Sequence, residues 1–488
     1  MNIQTMKYAM LKLLTALLLL PMVSACGLVT DDYDDLPNVP DAVNYINITI
    51  SVRASGSETR GNTPQGGEEG DGREKGINTR ENEVDGVTLI FFQDKENTSA
   101  GINATAANAA TTTIDYAVYY TVTLDDNYVP KYGTHYTDEI YYTTGDQELA
   151  LTSLNSNNKY HLLVVANADL TSQITPGTTT LAQVRDMTLS SVYTGTGIGE
   201  NASKFVMSSE KDHILDFSYS TYDETNNRRT FQLDNVHIER MSARIDFWAK
   251  GSTGYSTEYD HNGYVYSIGM SDCFVLTSIT PFNMNMGTGN EYLFKRTSNS
   301  VIEYLADETT TSWVIDAYYN NETKTSNAHP TWMVSTLTSV ENNLANDYNI
   351  TMQACQSAKQ TVGAYDDIIV AYPKENTLMP ASLLYYHATG LAFEGYYYRN
   401  GATTGGERQV FYHYLRHQGE SESYDAIKTL DKTATCGQPE AAPAMNYGVV
   451  RNNIYRVSIE GINQQSGHIK IKIEEEKWRH VDNPAIYI

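Results

Sequence analysis

The chain has 488 residues, 41% hydrophobic and 19% charged, with 34 Lys and Arg against 59 Asp and Glu. That length buries a substantial core in one to four domains. A formal net charge of -25 argues against a general nucleic-acid binder, which presents a basic surface.

The 37 Tyr and 33 Gly, with abundant Thr and Asn, predict a mostly β chain. Tyr and Thr suit pleated surfaces, while Gly, Asn and Asp suit the turns between them. At the N-terminus, Lys7 and Lys12 flank the start of an apolar run through Leu20. The run is too short for a membrane span and reads as the core of a signal peptide. It ends at Val23-Ser-Ala-Cys26, where small residues suit signal peptidase and the Cys26 thiol can take a lipid. The stretch resembles a bacterial lipoprotein signal; the alternative is an ordinary secretory signal with a chance cysteine. Residues 1–25 are therefore expected to be the signal peptide. Residues 26–60 are expected to hold the lipid anchor, an acidic tether (Asp31, Asp32, Asp34, Asp35) and a first strand.

That strand is predicted at 44–53. Ile46, Ile48, Ile50 and Val52 fall on one face, and Asn47, Thr49 and Ser51 on the other. Residues 54–83 then turn rich in Gly, Ser, Asn and charge, with Arg60, Arg73, Lys75 and Arg80 among them. A trypsin-like protease takes an extended substrate with a basic side chain. Arg53 and Arg60 are the best candidate sites if the first strand is to be detached; the plain alternative is a surface linker.

Val87–Phe92 and Tyr160–Ala166 are strongly apolar strands, with Tyr/Thr-rich strands at 114–124 and 136–144 and a loop or weak helix at 97–113. His161 has no partner at ligand spacing and reads as structural. Gly195-Thr-Gly-Ile-Gly199 lacks the strand–turn–helix setting of a dinucleotide site. From Phe231 to Ala249 two strands follow, with Ile245 and Phe247 opposed by Arg244 and Asp246. A boundary near here divides the chain into expected domains at 61–245 and 246–488.

In the second half, strands are predicted at Cys273–Leu276, 366–372, 383–389, 391–398 and 409–415, with Met284 and Met286 as packing residues. His413 and His417 are four apart but lack the glutamate of a zinc-protease motif, so no metal is expected. The cysteines, Cys26, Cys273, Cys355 and Cys436, form no metal or redox motif; with Cys26 modified, at most one internal disulfide remains. The tryptophans form no ladder that would mark a sugar platform. Neither a cofactor nor a catalytic pair is expected. The tail alternates twice. Tyr455, Val457 and Ile459 do so first. Ile469, Ile471 and Ile473 follow, with Lys470, Lys472 and Glu474 opposite, as in an edge strand protected from random pairing.

Several blocks together resemble the major fimbrial subunits of Bacteroidales type V pili. They are the lipobox at Cys26, Ile48–Val52, the Arg-containing linker, Val87–Phe92, Leu162–Asn167, Ile238–Ile245 and Tyr372-Pro-Lys-Glu-Asn-Thr377. The most distinctive is Tyr447-Gly-Val-Val-Arg-Asn-Asn-Ile-Tyr-Arg-Val457. Length and tail resemble the Mfa1-type shaft subunit more than the shorter FimA type. The resemblance implies two transthyretin-like antiparallel β-sandwich domains and export as a lipidated outer-membrane precursor. It further implies an Arg/Lys-specific protease that removes the anchor and the strand of Ile46, Ile48, Ile50 and Val52. The groove then accepts a neighbour's C-terminal strand, here Ile469, Ile471 and Ile473. The implied partners are further copies in a head-to-tail filament, anchor and tip subunits, the protease, and a host or bacterial surface receptor for adhesion or biofilm formation. Two rivals stand beside the shaft reading. One is an accessory, anchor or tip adhesin of the same fold, and the other is a glycan-binding surface lipoprotein that does not polymerise.

Overall fold

The computed structural model describes residues 43–52, 79–93, 106–125, 140–149, 160–195, 197, 199, 204–209, 212–215, 220–285, 291–298, 302–304, 313–314, 316–317, 350–351, 360–362, 365–376, 389–415, 449–463 and 468–477. Among these the regular structure is mainly β. The principal strands of the first half are β1 (Val43–Val52), β2 (Gly86–Gln93), β3 (Ile114–Thr121), β4 (Ile140–Thr143), β5 (Tyr160–Ala166) and β6 (Arg228–Arg240). Those of the second half are β7 (Arg244–Trp248), β8 (Gly263–Ile268), β9 (Asp272–Phe282), β10 (Tyr365–Ala371), β11 (Gly390–Tyr398), β12 (Glu407–Tyr414), β13 (Asn453–Asn463) and β14 (His468–Lys477).

The first half builds an 11-stranded sheet whose path runs β3-β2-β5, Met207–Ser209, β6-β1-β4 and Thr123–Leu124. β2 and β5 are continuous apolar runs, the pattern of strands covered on both faces. They pair antiparallel with Leu89 opposite Val164. Leu89 and Ile90 near one end of the path share a core with Ile48, Ile50 and Tyr142 near the other, so the sheet curls back on itself. His161, fully buried in β5, stacks on Phe92 at 5.4 Å between ring centres. The stretch expected as a loop or weak helix carries a short helix, α1 (Ala106–Thr111). Helix α2 (Leu181–Arg185) starts on a reciprocal cap between Thr180 and Gln183, which satisfies two otherwise unpaired backbone donors.

The second half stacks two sheets. One runs Gln360–Val362, β10, β7, β13, β14; the other runs Tyr255–Ser256, β8, β9, β11, β12, with Ile350–Thr351 beside β9. Phe247, Ile368 and Val457 of the first sheet and Phe274, Leu276 and Phe393 of the second form one core, with Phe247 and Phe393 rings 5.9 Å apart. This is a β-sandwich. Gly395 lets neighbouring strands β9 and β11 of the second sheet approach: a Cβ there would fall 2.3 Å from the Val275 carbonyl oxygen.

The expected sandwiches were antiparallel throughout. Two pairings among the described strands are instead parallel, β1 with β6 and β7 with β13. Parallel neighbours need a long crossover rather than a hairpin, and in both cases most of a sheet lies between the partners in sequence. Alternation within a strand carries no information about partners so remote. The strand expected at 383–389 lies outside the described residues up to 388, as do Met286, Cys355, His387, His417 and Cys436.

Candidate functional site

β1 enters from the start of the chain yet lies inside its sheet. It is bonded in parallel to β6 on one side and antiparallel to β4 on the other. Ile46, Ile48, Ile50 and Val52 are all 0% exposed and join the core of the first half. Each such burial contributes about 1.5–3 kcal/mol in area terms. Main-chain pairing continues beyond β4, with Leu149 N donating to Asn44 O at 2.8 Å and Thr144 N to Ile48 O at 3.0 Å. The Thr144 hydroxyl accepts from Ile48 N at 3.0 Å. Without β1, β6 and β4 would lose their common neighbour, leaving a groove of apolar pockets edged by unpaired amides and carbonyls.

The other face of β1 is uneven. Asn47 is half-buried, donates to Asp146 Oδ1 at 2.9 Å and accepts from the Thr143 hydroxyl at 3.0 Å. Asp146 also pairs with Arg228, whose guanidinium lies 4.0 Å from the Tyr45 ring centre. Thr49, two residues on, is 1% exposed, and its buried hydroxyl has no hydrogen-bond partner among the described residues. Here the β1–β6 register slips: Ile48 faces Leu233 and Ile50 faces Val236, so residues 234 and 235 oppose Thr49 alone. This is a β-bulge, which bends and twists the strand carrying the extra residue.

The C-terminal strand β14 lies elsewhere, at the edge of the five-stranded sheet. It pairs along its length with β13, with Ile469 opposite Ile462, Ile471 opposite Ile459 and Ile473 opposite Val457. The expected donor and removable strands therefore sit in different sheets of one chain. Cys26, Arg53 and Arg60 lie outside the described residues.

Sequence reasoning missed two buried ionic clusters. Arg244 and Asp246 were expected on a polar face opposing Ile245 and Phe247, but both are 0% exposed. Arg244 reaches Asp246 through two bonds, 2.9 and 2.8 Å, and Glu81 at 3.0 Å; Tyr372 OH donates to Glu81 at 2.5 Å. Burial disfavours the Arg244 charge, but Asp246 and Glu81 outweigh it and hold the guanidinium protonated. Burial, reinforced by Glu81, pushes the Tyr372 phenol well up. Glu81 sits in a 3-10 turn, Thr79–Asn82, directly after the basic linker, so this cluster ties the linker's far end to the start of the second half.

The second cluster gathers Glu291, Glu375 and Arg451, all 0% exposed. Arg451 Nη2 lies 2.9 Å from each carboxylate and 2.6 Å from the Tyr292 carbonyl. Burial and the neighbouring Glu375 charge push the Glu291 carboxyl well up. For Glu375, burial works the same way but Arg451 overrides it, and its carboxyl falls below the usual value. Glu375 and Arg451 come from segments 372–376 and 449–457, far apart in sequence, which the fold brings together. Strand alternation offered no signal for this, because the partners come from separate segments. Among the described residues no group of three or more His, Cys, Asp or Glu is placed to hold a metal ion.

No protein-family model matches the chain, and no curated protein matches it. Solved structures do. A C-terminally truncated tip fimbrial protein of Porphyromonas gingivalis is similar at 12% identity and a TM-score of 0.38, over 89% of this chain and 100% of that one. A fimbrial assembly protein of Parabacteroides distasonis is similar at 12% identity and a TM-score of 0.32, over 90% and 98%. A fimbrial protein of Bacteroides vulgatus is similar at 9% identity and a TM-score of 0.26, over 80% and 92%.

Proposed function

We propose that the chain is a subunit of surface fimbriae that is exported as a lipoprotein on Cys26 and matured by an Arg- or Lys-specific protease. Cleavage at Arg53, Arg60 or another basic residue of the linker frees the anchor together with β1, and the vacated groove takes a strand from another fimbrial subunit. The reading includes two units divided between residues 245 and 246, with the transthyretin-like topology and adhesive role implied by the resemblance. Its support is one observation: β1 is interior to a sheet and wholly buried on its apolar face, yet the sequence runs directly from it into the Gly-, Ser- and charge-rich stretch 54–83 with its basic residues. A strand so placed serves as an intramolecular plug for a β-augmentation site. The buried Glu81 keeps the new N-terminus fastened after the cut and argues against Arg80, its neighbour in the turn, as the cleaved residue.

Among fimbrial roles, an accessory or tip position fits better than the shaft. A shaft subunit presents its last strand to the next copy, whereas β14 is paired along its length with β13. N-terminal sequencing of the protein from cell-surface filaments tests the maturation. A start between residues 54 and 79 is expected, and surface protein that uniformly begins at Cys26 overturns it. Electron microscopy of protease-treated pure protein tests the role. Long homopolymers would restore the shaft reading; particles that only decorate or end filaments of another subunit support the accessory one.

A further inference from the structure

The groove held by β1 is selective at one position. Its four apolar sites are those of Ile46, Ile48, Ile50 and Val52. A strand with three alternating apolar residues fills either the first three sites or the last three, in either direction. Both sets contain the sites of Ile48 and Ile50. Whatever lies between the two side chains filling them must take the place of Thr49. That place is closed, with Thr49 1% exposed and its hydroxyl unpartnered among the described residues. The neighbouring place of Asn47 is different: it is half-buried and lies beside the Asp146 carboxylate, which suits a donor or a cation.

In β14 the apolar triplet is Ile469, Ile471 and Ile473, separated by Lys470 and Lys472. All four ways of seating this triplet put one of those lysines at the Thr49 place. An ammonium taken out of water with no partner is strongly unfavourable. In β1 the same place holds a threonine between two isoleucines. We propose that the groove accepts a strand of a different protein, aliphatic at alternate positions with a small uncharged residue between the second and third, and that it refuses this chain's own C-terminal strand. The inference rests on the strand-acceptor reading above and adds the partner's chemistry: a heterologous donor with an Ile-Thr-Ile or Val-Ser-Val centre.

Two arms test it. In the intact chain, Thr49→Lys is expected to lower the melting temperature sharply or to prevent folding, while Thr49→Val and Asn47→Lys fold and melt close to the parent. A Thr49→Lys chain as stable as Asn47→Lys overturns the inference, whatever happens to the groove during assembly. In the second arm, full chain nicked between residues 53 and 78 by limited trypsin is incubated with labelled peptides. These are residues 43–53, residues 468–477, and residues 468–477 carrying Lys470→Thr and Lys472→Thr. The first and third are expected to exchange into the protein at least tenfold faster than the second. Equal exchange of the two tail peptides overturns the selectivity. Failure of the 43–53 peptide to re-enter counts against the strand-acceptor function itself, and the intact-chain arm then decides the requirement at Thr49.

Discussion

β1 and β7 hold equivalent places in their sheets. Each lies between a long strand that it meets in parallel, β6 or β13, and an antiparallel one, β4 or β10. Each sends alternate apolar side chains into a core, Ile46 to Val52 in one case and Ile245 and Phe247 in the other. They differ in what else they bury. β7 carries Arg244 and Asp246, both fully enclosed, with Arg244 paired to Asp246 and to Glu81 of the first half, and follows β6 after only Met241, Ser242 and Ala243. The described side chains of β1 include no charge. A strand that buries only neutral groups leaves pockets another neutral strand can refill. Withdrawing β7 would leave ionised groups unpaired in the interior. The same topological slot thus buries only neutral described side chains at one end of the chain and an ion pair at the other.

The largest expected effect breaks the plug. Ile48→Asp places a carboxylate among the core side chains of the first half and is expected to cost more than about 4 kcal/mol, enough to abolish soluble folded protein. Ile48→Val, which removes one methylene, is expected to cost about 0.5–1.5 kcal/mol and to keep the fold. Urea unfolding followed by circular dichroism separates the two. A well-folded Ile48→Asp chain would mean that β1 is not a core strand.

The lock comes next. Arg244→Ala leaves Glu81 and Asp246 facing each other without their cation and is expected to cost about 3–5 kcal/mol. The loss is also expected to loosen the Thr79–Asn82 turn, so that protease reaches Arg80 in the variant but not in the parent. Mapping the limited-digestion fragments by mass checks this. Identical fragments from both proteins would separate the turn from the lock.

How far these strands could be read from sequence follows the same division. Tyr160–Ala166 has the limits its apolar run predicts, and the alternation of β1, β13 and β14 gives their periods, because those signals are local. That β1 sits in mid-sheet, parallel to a strand some 180 residues later, leaves no local trace. Arg244 and Asp246 misled in an instructive way. Charges at alternate positions usually mark a solvent face, and here they mark a face covered by Glu81 and Tyr372. The aliphatic face of β1 was legible, whereas the closure over Thr49 was not, since Asn47, Thr49 and Ser51 look alike in a period-two pattern.

A third change probes the other end. Deleting residues 468–488 removes an edge strand with one partner, β13, and is expected to cost less than breaking β1, about 1–3 kcal/mol. β14 belongs to a different sheet from Phe91, Phe92 and Tyr160, so their aromatic circular dichroism is expected to persist. Loss of that signal would show that the tail supports the groove region as well as its own sheet.

The smallest effect is a pH slope at the base of the β13–β14 hairpin, where Arg451 precedes β13. Glu291 there faces Glu375, Arg451 and Asp316, with Lys374 also acting on it and Glu239 acting on Arg451. The Glu291 carboxyl titrates well above its usual value because burial and Glu375 disfavour its charge. Stability from protonated Glu291 is therefore complete below the ordinary carboxylate range and is lost as pH rises through the elevated folded value. Glu375 has the opposite sign: Arg451 lowers its carboxyl against the pull of burial, so its contribution is lost only as pH falls. As pH rises above the ordinary carboxylate range the Glu291 contribution is lost and the melting temperature is expected to decline, with a separate contribution from Asp212, whose carboxyl is pushed up to about 6 by burial. Glu291→Gln is expected to flatten that decline and raise the melting temperature at the alkaline end, whereas Glu375→Gln removes Arg451's ionised partner and lowers it throughout. Amide exchange, corrected for its intrinsic pH dependence, should quicken in β13 over the same range and stay unchanged in β1, which carries no carboxylate, histidine, lysine or arginine. Equal quickening in both strands would mean that the two ends of the chain open together, against the independence that strand exchange at β1 requires.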